Sequence, residues 1–155
     1  MIKIFLIASL IISNFTSAEY TNSNGKALEK PFKDLIKWVR SDVEPKLAQI
    51  DVSSEWQTIN LNEADNYIIW IGHSTFLIKK EGITILTDPV FSDRASPFKN
   101  VGPERLIPPA MSIDQLPKID FVTVSHNHYD HLDINSLKEI SKLYSEAIFF
   151  VPIGD

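Results

Sequence analysis

Between Tyr67 and Val151 the apolar residues come in short blocks, cut by glycine, proline and acidic positions. Asn66-Tyr67-Ile68-Ile69-Trp70-Ile71 is rich in β-branched and aromatic residues and predicts a strand. Gly72-His73-Ser74 interrupts it, and Thr75-Phe76-Leu77-Ile78 resumes as a second strand. Glu81-Gly82 supplies a turn before a third strand, Ile83 to Thr87. Runs of this kind joined by tight turns predict antiparallel hairpins. Asp88 ends the third run, and Pro89 stops it because proline cannot donate to a ladder. The next run, Ile119 to Ser125, is short and rich in β-branched residues, which predicts a buried strand. Asp133 can N-cap a helix that reaches Tyr144, with Leu137, Ile140, Leu143 and Tyr144 on its buried face. Ala147 to Val151 predicts a further strand, ended by Pro152.

The chain before Asn66 follows other patterns. Residues 1–18 place Lys3 ahead of an apolar stretch, Ile4 to Ile12, and small residues Thr16-Ser17-Ala18 before Glu19. That is the layout of a cleaved signal peptide, and the stretch is too short to span a bilayer as a stable helix. The expected product is exported, to a periplasm or the exterior. Residues 19–65 read as a polar leader, an amphipathic helix and an irregular acidic segment anchored by Trp56. Pro31 can open the helix, and Phe32, Leu35, Ile36 and Val39 recur at helical spacing. Its apolar stripe fits packing against the main body, with peripheral membrane contact as the sharper alternative.

Pro89 to Lys118 holds six of the nine prolines and is too long for a plain connection. It is either a rim over a site or a stiffened wrap covering the sheet. Within it, Ser112-Ile113-Asp114-Gln115 fits a capping box and a short helical turn.

Composition adds bounds. The chain has 155 residues, 44% hydrophobic and 23% charged, which fits one globular domain. Its net charge of −5 argues against a nucleic-acid partner, which usually needs a basic face. With no cysteine there are no disulfides and no thiolate ligands.

The chemistry concentrates in His126-Asn127-His128-Tyr129-Asp130-His131, directly after the Ile119–Ser125 run. On extended chain, residues two apart face the same way, so His126 and His128 can hold one cation together. Asp130 and His131 follow where the chain leaves the strand and can address a second position. Imidazole nitrogens and a carboxylate suit zinc, with manganese or iron as alternatives. Two metals about 3.5–4 Å apart would make a hydrolytic site. His73, beside a glycine, is either a residue that orients a ligand or substrate or a hydrogen-bonded structural histidine. Asp88 before proline is by itself a common turn residue.

H-x-H-x-D-H resembles the signature of the metallo-β-lactamase-fold hydrolases. Trp70-Ile71-Gly72-His73-Ser74-Thr75, Leu86-Thr87-Asp88-Pro89-Val90-Phe91-Ser92, Arg94-Ala95-Ser96-Pro97, Gly102-Pro103-Glu104-Arg105 and Ser125 to Asp133 narrow the resemblance to the N-acyl-phosphatidylethanolamine phospholipase D branch and its bacterial relatives. The resemblance implies an α/β fold, the αββα sandwich, with residues 66–155 as its first half: a mostly antiparallel or mixed sheet with flanking helices. It implies a zinc-dependent phosphodiesterase with two Zn2+ per complete site, acting on phospholipid through water activated between the metals. His126, His128, Asp130 and His131 would be ligands, Asp130 would also hold the nucleophile, and Asp88 would lie at the metal floor behind them.

One departure matters. The second half of full-length relatives adds a third histidine for the first metal, a bridging aspartate, and a histidine for the second. After His131 this sequence has no histidine, and Asp133, Glu139, Glu146 and Asp155 match no family motif. The expectation is a truncated half-domain with two protein ligands per metal, where catalytic zinc takes three plus water. One sheet face would be left uncovered. Two other outcomes compete with an active hydrolase: a half-domain without autonomous catalysis, and a metal-binding module without turnover.

Overall fold

The computed structural model describes residues 53–98, 100 and 102–153, together with 33, 34, 36 and 37, which are helical. The expected signal peptide, the leader and the rest of the 32–40 helix lie outside the described residues. Among the described residues, no helix is long and apolar enough to cross a membrane.

Five strands form one mixed sheet in sequence order: β1 (Tyr67–Gly72), β2 (Thr75–Lys80), β3 (Ile83–Thr87), β4 (Phe121–Thr123) and β5 (Ile148–Phe150). β1, β2 and β3 pair antiparallel, as the two tight turns require. β3, β4 and β5 pair parallel, and parallel neighbours need crossovers. The 88–120 segment makes the first crossover. The helix α1 (Ile134–Leu143) makes the second.

Alternation sorts the side chains onto two faces. Ile69, Leu77, Leu86, Val122 and Phe149 form one row across all five strands. This row enters a core completed by Met111, Ile113, Leu116 and Ile119 from the first crossover and Ile140 from α1. The 89–118 segment is therefore largely a wrap over this face. Its Phe98 and Leu106 remain exposed. Trp56, within a 3-10 turn at Glu55–Thr58, is partly buried against the same core.

Two expectations need correction. The Ile119–Ser125 strand shortens to the three residues of β4. Its flanks still bond to the neighbouring strands: Asp120 N donates to Thr84 O at 3.0 Å, Asp120 O accepts from Ile148 N at 2.9 Å, and Val124 N donates to Phe150 O at 2.9 Å, but only Phe121 to Thr123 pair in register with both β3 and β5. In α1, Leu143 is 56% exposed, although it was expected on the buried face. Ile140 is buried and Leu137 and Tyr144 partly so, as expected, while Ser136 is buried in place of Leu143 where the helix rests on the 3-10 turn at Ile113–Gln115. The Tyr144 hydroxyl anchors its end by donating to Leu116 O at 2.8 Å. At that 3-10 turn, Gln115 Oε1 accepts from Ser112 N at 2.9 Å, as a capping box requires.

Candidate metal centre

Three chain segments meet beyond the C-terminal ends of β3 and β4: the β1–β2 turn, Asp88 after β3, and Ser125 to His131 after β4. Such strand ends are where open α/β sheets place their ligands.

Asp88 is fixed first. Its φ of 37° is left-handed, a region aspartate tolerates better than most residues. Its N–H donates to Thr123 O at 2.7 Å, and its carbonyl accepts from Thr75 Oγ1 at 2.7 Å. The carboxylate is buried and turned toward the histidine loop. It accepts from Ser125 N at 2.6 Å and from Ser125 Oγ at 2.8 Å, and His131 Nδ1 lies 2.8 Å from Oδ2. Burial alone would raise the Asp88 pKa, but the hydrogen bonds from His131 and Ser125 outweigh it and hold the carboxyl below its ordinary range. Asp88 is thus ionised at neutral pH and aims His131, with Nδ1–H donated to it and Nε2 turned outward. A carboxylate behind a histidine is the usual way to fix a ligand's tautomer and direction.

Nε2 of His131 lies 3.7 Å from Asp130 Oδ2, and Nε2 of His73 lies 3.2 Å from the same oxygen. His73, Asp130 and His131 form a group whose ligand atoms all fall within 4.8 Å of one another. Two imidazole nitrogens and one carboxylate oxygen in that space fit zinc or a related divalent ion. His126 and His128 stand alongside. Their ring centroids are 4.6 Å apart, and His126 is 4.1 Å from His131. Nδ1 of His126 is 2.9 Å from Ser125 Oγ, which leaves its Nε2 free. Burial pushes the His126 pKa down, and the neighbouring His131 and His128 push the same way. That favours the neutral imidazole, the form that binds metals.

All six residues singled out in the sequence therefore gather at one place, although His73 is 57 residues from Asp130. The sequence leaves His73 open between an orienting and a structural role. The fold brings its ring to the Asp130 carboxylate, on the exposed side of the cluster. No pattern singles out Ser74 and Ser125, yet both hydroxyls border His131 Nδ1, at 3.1 and 3.2 Å. Their sequence signals are adjacency to His73 and His126 and a place in the segments that carry the family resemblance.

A model of the family described as the beta-lactamase superfamily domain matches residues 67–150, more than half of the chain. The chain is 45% identical over 93 residues to the N-acyl-phosphatidylethanolamine-hydrolyzing phospholipase D 1 of Caenorhabditis elegans, covering 60% of this chain and 26% of that protein. It is 48% identical over 87 residues to an uncharacterized protein of Mycobacterium tuberculosis, covering 56% and 23%. It is 44% identical over 88 residues to the mitochondrial N-acyl-phosphatidylethanolamine-hydrolyzing phospholipase D of Saccharomyces cerevisiae, covering 57% and 18%. The chain thus spans about a quarter or less of the length of these curated relatives. The mixed five-stranded sheet is consistent with part of a metallo-β-lactamase α/β fold.

Proposed function

Since the chain belongs to the beta-lactamase superfamily domain family, we propose that it carries the metal-binding half-site of a divalent-metal hydrolase acting on phosphodiester bonds of N-acyl-phosphatidylethanolamine-type lipids. The observation that carries this reading is the convergence of His73, Asp130 and His131, with Asp88 aiming His131 from behind. The substrate class rests on the names of two similar proteins.

Zinc is the metal that the donor set favours, and His126, His128, Asp130 and His131 are its proposed ligands. A divalent ion held there supplies Lewis acidity and lowers the pKa of water to about 7. The protein's own residues do the rest. Asp88 holds His131 pointed at the site. Asp130 presents Oδ2 to the same space and accepts a hydrogen bond from the attacking water. His126 and His128 hold the adjoining position.

A second reading, metal binding without turnover, is favoured by the ligand count. Among the described residues the proposed ligands give two to each position, His126 with His128 and Asp130 with His131, where catalytic zinc takes three plus water. One experiment separates the two. Metal-free protein is supplied with zinc and mixed with vesicles containing N-acyl-phosphatidylethanolamine, and phosphatidic acid and N-acylethanolamine are measured by mass spectrometry. Product formation that a chelator abolishes and that His128→Ala loses supports the hydrolase. Stoichiometric zinc with no product leaves metal binding alone.

A further inference from the structure

We propose that a cleft at the end of the sheet away from the metal cluster, lined by Lys79, Thr84 and Lys118, binds a phosphate group. This site is independent of the metal-binding reading above.

The cleft has a volume of about 260 Å³ and lies where the β2–β3 hairpin meets residues 61–62 and 117–120. Thr84 stands near the start of β3, while Asp88 follows its end at the metal cluster. That length of strand, roughly 13 Å, separates the two places. The volume is below the roughly 300–1,000 Å³ of drug-sized sites, so the cleft suits a small group.

The row of side chains that fills the core changes character here. Leu77 is opposite Leu86, and the next pair on the same face is Lys79 opposite Thr84. Directly opposed residues have Cβ atoms roughly 4.5–5.5 Å apart, so the ammonium stem and the hydroxyl stand side by side. Thr84 is only 4% exposed. Every fully enclosed side-chain nitrogen or oxygen among the described residues has a hydrogen-bond partner. The Thr84 hydroxyl has none among them, so it opens on the cleft. Burying a hydroxyl without a partner costs stability, and an acceptor bound in the cleft removes that cost.

The neighbouring groups are donors too. Lys79 Nζ donates to Leu61 O at 3.2 Å and to Asn62 O at 2.8 Å, which leaves one of its three donors over. Lys118 Nζ donates to Asp120 Oδ1 at 2.9 Å, and its side chain is otherwise exposed. The Asp120 carboxylate also lines the cleft, but both its oxygens are engaged, Oδ1 by Lys118 and Oδ2 by Thr84 N at 2.9 Å. Two ammonium groups against one carboxylate leave a positive balance. Spare donors from three segments fit an anion with several acceptor oxygens. The edge of the cleft is open at Gly82, where an added methyl would meet nothing within 4 Å.

A phosphate group can come from a free phosphate or from a lipid headgroup, and the test has an arm for each. Chelator is present throughout, so that the histidine cluster holds no metal to attract phosphate. In the first arm, isotope-labelled protein is titrated with inorganic phosphate at constant ionic strength, and the amide signals of Lys79, Thr84 and Asp120 are followed by NMR. In the second, the protein is sedimented with phosphatidylcholine vesicles, with and without phosphatidic acid. Thr84→Val and Lys118→Met are compared after circular dichroism has verified their fold. Neither side chain is needed by the core, since the hydroxyl bonds nothing among the described residues and Lys118 is exposed. We expect a saturable response, weakened about tenfold or more by each variant, as loss of a hydrogen bond to a charged group implies. Saturable shifts with inorganic phosphate and no preference among vesicles identify the free anion. Sedimentation that requires phosphatidic acid and that Lys118→Met loses identifies the headgroup. No saturable response in either arm, equal shifts with chloride, or unaltered binding in either folded variant would overturn the proposal.

Discussion

Two rows of side chains cross the five strands one residue apart, and they meet opposite fates. Ile69, Leu77, Leu86, Val122 and Phe149 face the first crossover and α1, and Leu77, Leu86 and Val122 are wholly buried. Ile68, Ile78, Ile85, Phe121 and Ile148 face the other way. There Ile68 stays 71% exposed and Ile148 55%. Trp70, Phe76 and Phe150 extend the same exposed face. The two rows are equally apolar, so hydrophobicity does not distinguish them. What distinguishes them is that, among the described residues, another element lies on top of only one row. One face carries the fold's stability, and the other is an apolar surface of the kind that attracts a covering.

The largest effect follows from breaking the covered row. Leu86→Ala removes a fully buried side chain between Leu77 and Val122 and should cost about 2–5 kcal/mol. Urea denaturation followed by circular dichroism measures it. A loss below about 1 kcal/mol would mean that this row is not the core.

The covering itself hangs on Asp133, which gives an intermediate effect. Its carboxylate caps α1 by accepting from Asn135 N and Ser136 N, and it ties down the first crossover by accepting from Ser92 N at 2.9 Å. Burial alone would raise its pKa, but the bonds from Ser136 and Ser92 prevail and hold it below the ordinary range. A depressed carboxyl contributes stability that is present above the unfolded pKa, near 3.9, and is lost as pH falls through the lower folded value. Asp133→Asn should therefore cost about 1–3 kcal/mol at pH 7, and less at each step below about pH 4. Denaturation of both proteins across that range, with chelator present, measures the difference. A gap that stays constant through that window would show that the charge of Asp133 is not what fastens the covering.

This contrast also marks what could be read in the sequence. β1, β2 and β3 were legible to within two residues, because their β-branched blocks and the Glu81-Gly82 turn are local signals. α1 was legible from Asp133 and its spacing. The H-x-H-x-D-H cluster was legible because its chemistry is packed into six residues. The shortness of β4 was not, since it depends on where Ile148 and Thr84 come to lie. Nor was the reach of His73 to Asp130, because the contact closes over 57 residues. The uncovered face was foreseen only through the family resemblance. The block Tyr67 to Ile71 is apolar at every position, a pattern that by itself predicts burial on both faces.

The smallest effect on stability, and the sharpest test of the contrast, belongs to the exposed row. Threonine keeps the branched shape that strands favour while making the surface polar. The double variant Ile68→Thr with Ile148→Thr should change unfolding free energy by no more than about 0.5 kcal/mol, as surface substitutions usually do. It should also lower self-association in light scattering, because both residues lie on the apolar face. If the pair instead costs as much as Leu86→Ala, then something covers this face in solution. The two rows would then be equivalent, and the difference between them would lie in the covering alone.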